Sequence, residues 1–142
     1  MKCVRFSHTD PQHLISESGG KVWQWDMSGH QIGTVYDGFH IAFSLDGTLF
    51  ASCNGATITV QNSDSGIVMA KLHMAQSQFE KCCFSPNCKL IAGVTYKAVY
   101  VWDITDSNPH IIETIAGQGS GIACRVFSSS LVLGSFDGSV KF

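Results

Sequence analysis

The feature that most restricts what this chain can become is a recurrence with a period close to forty residues. A Phe-Ser pair returns at Phe6 Ser7, Phe43 Ser44, Phe84 Ser85 and Phe127 Ser128, at spacings of 37, 41 and 43 residues. A short apolar segment keeps the same step: Val22 Trp23 Gln24 Trp25 Asp26, then Ile58 Thr59 Val60 Gln61 Asn62, then Val99 Tyr100 Val101 Trp102 Asp103, with a fourth beginning at Val140 Lys141 Phe142. Between the two anchors lies another apolar run, such as Leu90 Ile91 Ala92 Gly93, so each unit reads strand, turn, strand, turn, strand. A unit of a few short strands with two apolar faces is not stable alone and must stack on copies of itself.

Taken in order, the strand pattern predicts strands over 2–7, 14–18, 22–26 and 31–36, then 39–44, 49–53, 57–62 and 67–73. A third set follows over 79–85, 90–95, 99–103 and 110–115, and a shorter one over 122–128, 131–135 and 140–142. The turns between them carry the dipeptides that antiparallel hairpins favour, Asp46 Gly47, Asn54 Gly55 and Asp137 Gly138, and Pro11 and Pro109 mark further breaks. No stretch sustains a 3.6-residue apolar period, so almost no helix is expected.

A repeat of this length whose third strand closes on Trp-Asp resembles the WD40 family over essentially the whole chain. The resemblance implies an all-β fold of four-stranded antiparallel blades, a WD40-type β-propeller with an incomplete ring. The blades are placed at about 2–38, 39–78 and 79–121, with an incomplete fourth at 122–142. It also implies a polar brace in each blade: a His before the first strand, a Ser or Thr in the second, an Asp in the following turn and the Trp of the third. The Trp position holds Trp25, Gln61 and Trp102, and the turn Asp position holds Gly19, Gly55, Tyr96 and Asp137. Before the first strand of a blade stand Leu72 His73 and Gly117 Gln118, and no blade keeps the full set. Because the chain starts on an inner strand and stops before the outer strand of its last blade, the expectation is an excerpt of a longer propeller or a truncated product, with self-assembly as the alternative.

Composition sets limits on function. With 44% hydrophobic and 14% charged residues the chain is globular rather than disordered. Net charge is −2 and the nine Lys and Arg are scattered singly, so no basic stripe for phosphates exists and nucleic acid is not expected as a partner. No apolar run is long enough to span a bilayer and the first residues lack a signal-peptide core, so the expectation is a cytoplasmic protein, nuclear not excluded, without membrane contact. Cys3, Cys82, Cys83 and Cys124 fall in or beside first strands and Cys53 in a second strand, where a thiol packs as a small apolar residue. That reading is preferred over bridges or zinc, since Cys82, Cys83 and Cys88 do not give a Cys-x-x-Cys pair with matching His.

Segments that imitate chemistry fail on context. Gly117 Gln118 Gly119 Ser120 Gly121 looks like a phosphate-cradling loop, but a strand follows where a helix is required. The run from Asp103 to Asn108 is rich in oxygen ligands but lacks the Gly and distal Glu of a calcium loop. The recurring serines mark a recurring turn, whereas a nucleophile is a single residue with its own base. Neither an enzyme, nor a cofactor, nor a metal is expected.

The WD40 resemblance instead implies a scaffold for protein or peptide partners, often as part of a larger signalling or sensor protein. One ring face is formed by the turns between second and third strands and the connections between blades. Its candidate contacts are Tyr36, Asp37, Phe39, His40, Phe79, Tyr96, Lys97, Phe136 and Asp137, with Glu17, Asn54, Gln76, Gln78 and Gln118 in the same loops. The aromatics among them either anchor a partner or plug gaps between blades. The alternative function is association alone, completing a propeller with other chains or with the rest of a longer protein.

Overall fold

A computed structural model describes residues 3–6, 13–116, 121–127, 130–135 and 140–141, with side chains for Val4, 14–32 and 37–116. Every regular element among the described residues is a strand. The first sheet contains β1 (Cys3–Phe6), β2 (His13–Ser18), β3 (Lys21–Asp26) and β4 (Gln31–Asp37). The second contains β5 (Phe39–Phe43), β6 (Leu49–Asn54), β7 (Thr57–Asn62) and β8 (Val68–His73). The third contains β9 (Phe79–Phe84), β10 (Leu90–Thr95), β11 (Ala98–Asp103) and β12 (His110–Ala116). The fourth has β13 (Gly121–Phe127), β14 (Ser130–Ser135) and β15 (Val140–Lys141). Each is an antiparallel meander in chain order, as the repeat demands.

Side-chain alternation decides which sheet meets which. Ile15 of β2 and Val22 of β3 pack with Ile41 and Phe50 at the seam between the first and second sheets. The opposite face of the second sheet, through Ala51, Cys53, Ile58 and Val60, packs on Phe79, Phe84, Ile91 and Trp102 of the third. The far face of the third sheet is the apolar set Ala92, Val94, Val99 and Val101. The second and third sheets are thus buried on both faces, which fits the low charge of the sequence.

The second seam is the tightest. Phe79 meets Trp102 edge-on at 5.6 Å and Tyr100 at 6.4 Å between ring centroids. Such pairs add about 0.5–1.5 kcal/mol each beyond the area they bury. Room for the wedge comes from Gly93: a Cβ there would lie 2.5 Å from Ile58 Cδ1 and 2.8 Å from the Phe79 ring.

The recurring Phe-Ser pair is explained by a turn that closes on the serine. Ser44 Oγ accepts the Leu49 amide at 2.9 Å and lies 2.6 Å from Asp46 Oδ1. Ser85 repeats this with the Leu90 amide at 2.9 Å and Asn87 Oδ1 at 2.6 Å. Both serines are buried, and the bonds satisfy hydroxyl and backbone together. Ser7 and Ser128 lie outside the described residues.

The residue that closes the third strand caps the next turn in the same repeating way. Asp26 Oδ1 accepts the His30 amide, Asn62 Oδ1 those of Asp64 and Ser65, and Asp103 Oδ1 that of Thr105. Asn62 therefore performs the task of the aspartate it replaces.

The cysteines divide. Cys53 is a buried free thiol, and Cys82 and Cys88 are also free. The Cys53 thiol beside it, and then burial, hold the Cys82 thiol well above the usual range. Cys83 is disulfide-bonded, a correction to the expectation that it packs as a plain apolar residue.

Gly93→Ala is expected to lower stability by about 1–3 kcal/mol, because Ile58 and Phe79 must both retreat. Thermal unfolding followed by far-ultraviolet circular dichroism measures this, and an unchanged midpoint would show a looser second seam.

Candidate functional site

One end of the sheet stack is assembled by hydrogen bonds between turns and sheet-to-sheet connections. The Gly38 amide, between β4 and β5, donates to Gly20 O in the β2–β3 turn at 2.9 Å. Between the second and third sheets, the Phe79 amide donates to Gly55 O at 2.8 Å and the Met74 amide to Ala56 O at 2.9 Å. The turns between second and third strands therefore share a face with the connections between sheets, and the turns at Ser44, Ser85, Asn62 and Asp103 occupy the opposite face.

The third sheet presents the most prominent side chains on this loop face. Buried Thr95 receives the Ala98 amide on Oγ1 at 3.1 Å and donates to Ala98 O at 2.9 Å. The turn so fixed holds Tyr96 outward, 67% exposed, with Lys97 also exposed. At the first seam, Phe39 lies with its ring tip 2.9 Å from where a Cβ of Gly20 would stand and is 38% exposed. Asp37 is exposed and pairs with Lys21 at 2.7 Å, a contact of small energetic weight in solvent. His40 is exposed, occupies a bulge of β5 with a left-handed φ of 50°, and donates its amide to Glu17 Oε2 at 3.2 Å.

Among the remaining expected contacts, Phe79 is 6% exposed and fills the gap between the second and third sheets, so it takes the plug role rather than the anchor role. Tyr36 pairs through its backbone with Val22 in β4, and its side chain lies outside the described set. Phe136 and Asp137 lie outside the described residues. The structure thus groups Asp37, Phe39 and His40 at the first seam and sets Tyr96 and Lys97 on the third sheet of the same face. Among the described residues, no three His, Cys, Asp or Glu side chains gather to hold a metal ion.

Neither a protein-family model nor a curated protein matches the sequence. Solved structures do match in fold. The structure of U3-55K superposes with a TM-score of 0.82 at 18% identity, over 97% of this chain and 46% of that one. The crystal structure of the RRP9 WD40 repeats gives a TM-score of 0.81 at 19% identity, over 97% of this chain and 46% of that one. The fold is a partial WD40 β-propeller. The chain spans about half the length of these structures.

The WD40 brace is rebuilt differently in each blade. Strand register aligns Ser16, Ser52 and Gly93 at the second-strand position, opposite Trp23, Thr59 and Tyr100 and two residues from Trp25, Gln61 and Trp102. Blade one keeps one link, with Trp25 Nε1 donating to Ser16 Oγ at 2.7 Å. In blade two Gln61 turns to Gly66 O at 3.3 Å, and buried Ser52 Oγ is left without a partner. Blade three has glycine in place of the serine, and the Phe79 wedge takes the space. His73 is not part of a brace: its ring meets Thr57 Oγ1 at 3.0 Å on an exposed edge.

On the opposite face of this WD40 arc, hydrogen bonds lower three carboxyl groups below the ordinary value of 3.8: chiefly the His30 amide at Asp26, the Ser44 hydroxyl at Asp46 and the Thr105 hydroxyl at Asp103. A carboxyl depressed on folding adds stability that is complete above its unfolded value and is lost as pH falls through the folded one. The melting temperature is therefore expected to hold from neutral pH to the upper edge of the carboxylate range and to fall below 3.8. Asp103→Asn, which copies Asn62, is expected to keep the fold and flatten that acid limb; melting curves across pH check both.

Proposed function

We propose that this chain is a protein- or peptide-binding scaffold whose contact surface is the loop face carrying Phe39, His40, Tyr96 and Lys97. The observation that carries this reading is the Thr95-locked turn, which holds a large aromatic mostly in solvent. Aromatic side chains held rigidly on a surface are the usual anchors of protein interfaces, because little entropy is lost when they bind. The WD40 fold supports it, being a scaffold that displays loops at its two ends. The function is non-enzymatic in this reading, and the partner is neither nucleic acid nor membrane, since the Lys and Arg residues form no stripe. The free thiols of Cys53, Cys82 and Cys88 support a cytoplasmic or nuclear setting, and the Cys83 disulfide weighs against it.

A second reading is association with further blades, from the same protein or another. It is favoured by the fact that the arc covers 46% of the propellers it matches.

The two faces can be separated by experiment. Tyr96→Ala with Lys97→Glu alters the loop face, whereas Leu45→Ser with Met27→Ser alters exposed apolar side chains on the opposite face. Photo-crosslinking and affinity capture are expected to lose the partner with the first pair at an unchanged melting temperature, and to keep it with the second. The reverse pattern would move the interface to the other face.

A further inference from the structure

Glu17 has an unmet hydrogen-bonding demand. It follows Ile15 on the inward-facing side of β2, next to the Gly19–Gly20 turn, and is 1% exposed. Oε2 accepts the His40 amide at 3.2 Å, but Oε1 is buried and has no hydrogen-bond partner. A carboxylate can only accept, and a bare oxygen enclosed in protein is costly. The cation on the adjacent strand is already committed, since Lys21 is held by Asp37 at 2.7 Å. The other two buried unpartnered side-chain atoms among the described residues, Ser52 Oγ and Ser63 Oγ, are hydroxyls on blade two.

We propose that Glu17 is the floor of a lysine-ammonium site at the seam of blades one and two, filled by a lysine of the partner peptide. This rests on the loop-face reading above and deepens it. Three features select the ligand. The missing group is a donor, and a positive one balances the carboxylate that folding has enclosed. Oε2 already accepts the His40 amide, so a guanidinium fork would have to compete for that oxygen, whereas a compact ammonium needs only Oε1. The partly exposed Phe39 ring, its tip over Gly20 and next in sequence to His40, places an aromatic beside the site. Because Oε1 is enclosed without ligand, binding displaces neighbouring chain, and the His40 amide, bonded to the other carboxylate oxygen, reports that displacement.

The movement gives the test its reporter. With the full 142-residue chain labelled with nitrogen-15, the His40 amide resonance is followed while acetyl-Gly-Lys-Gly-amide is added. The expected result is a saturable shift, about tenfold weaker binding for the arginine peptide, and none for the Nε-acetyl-lysine peptide. Glu17→Gln is expected to abolish the shift while keeping the melting temperature, and Phe39→Leu to weaken binding several-fold. A flat titration, a shift that survives in Glu17→Gln, or equal binding of the lysine and arginine peptides overturns the site. If the Tyr96 and Lys97 variants lose the partner but the lysine titration is flat, the loop-face reading stands and the ammonium site falls. If the lysine peptide binds and those variants keep the partner, the site stands and the wider face does not.

Discussion

The packing of Phe79 into the space above Gly93 is the contact on which the rest of the arc depends. It ties the first strand of the third blade to Ile58 of the second and to Trp102 and Tyr100 of its own sheet. Loop positions are only as well defined as the sheets that carry them. The Phe79 amide also bonds Gly55 O, so one residue fixes the seam and anchors the connection that crosses the loop face. Aromatic packing within the third sheet stands where a WD40 polar brace would stand, and Ile58 carries it across to the second sheet.

The seam of blades one and two is built from a different balance. Gln61 stands where a tryptophan would enlarge the apolar contact, and Gln24 reaches across to Ser63 O at 3.2 Å. Glu17 Oε1, Ser52 Oγ and Ser63 Oγ are all buried there without partners. Each such group subtracts from stability, on the order of 1–3 kcal/mol where nothing replaces the lost hydration. Native molecules keep such groups where something other than stability is served. The two seams therefore differ: the second closes on the Phe79–Trp102 packing, while the first adds to its apolar cluster polar groups left incompletely satisfied, which makes it the cheaper to open locally.

The fold was legible because its signals are local and repeated. The Phe-Ser recurrence, the Asp or Asn after the third strand and the Gly-containing turns each reappear as a hydrogen-bonded motif, so errors at one repeat are corrected by the others. The candidate site was less so. Tyr96 and Phe79 are both aromatics beside a turn, yet Tyr96 is mostly in solvent and Phe79 is wedged in the core. What separates them is Gly93, whose missing side chain creates the space for Phe79 on a neighbouring strand. That is a tertiary fact with no local mark. The Cys83 disulfide was missed for the same reason, since no Cys spacing in the sequence marks it.

Glu17 did leave a mark, in its alternation with Ile15. On β2 these two residues share a face, and a carboxylate on the apolar face of a central strand breaks the period that placed every other residue there. The strand cannot slip to expose it: moving the register by one residue would turn Ile15 off the seam with it and would cost the Ser16–Trp25 bond. The carboxylate is therefore held inside by the fold rather than by its own interactions. A side chain confined in this way sits in a fixed place before any ligand arrives, so the energy of orienting it has already been spent in folding, and the donor that reaches Oε1 recovers part of the penalty that folding left unbalanced.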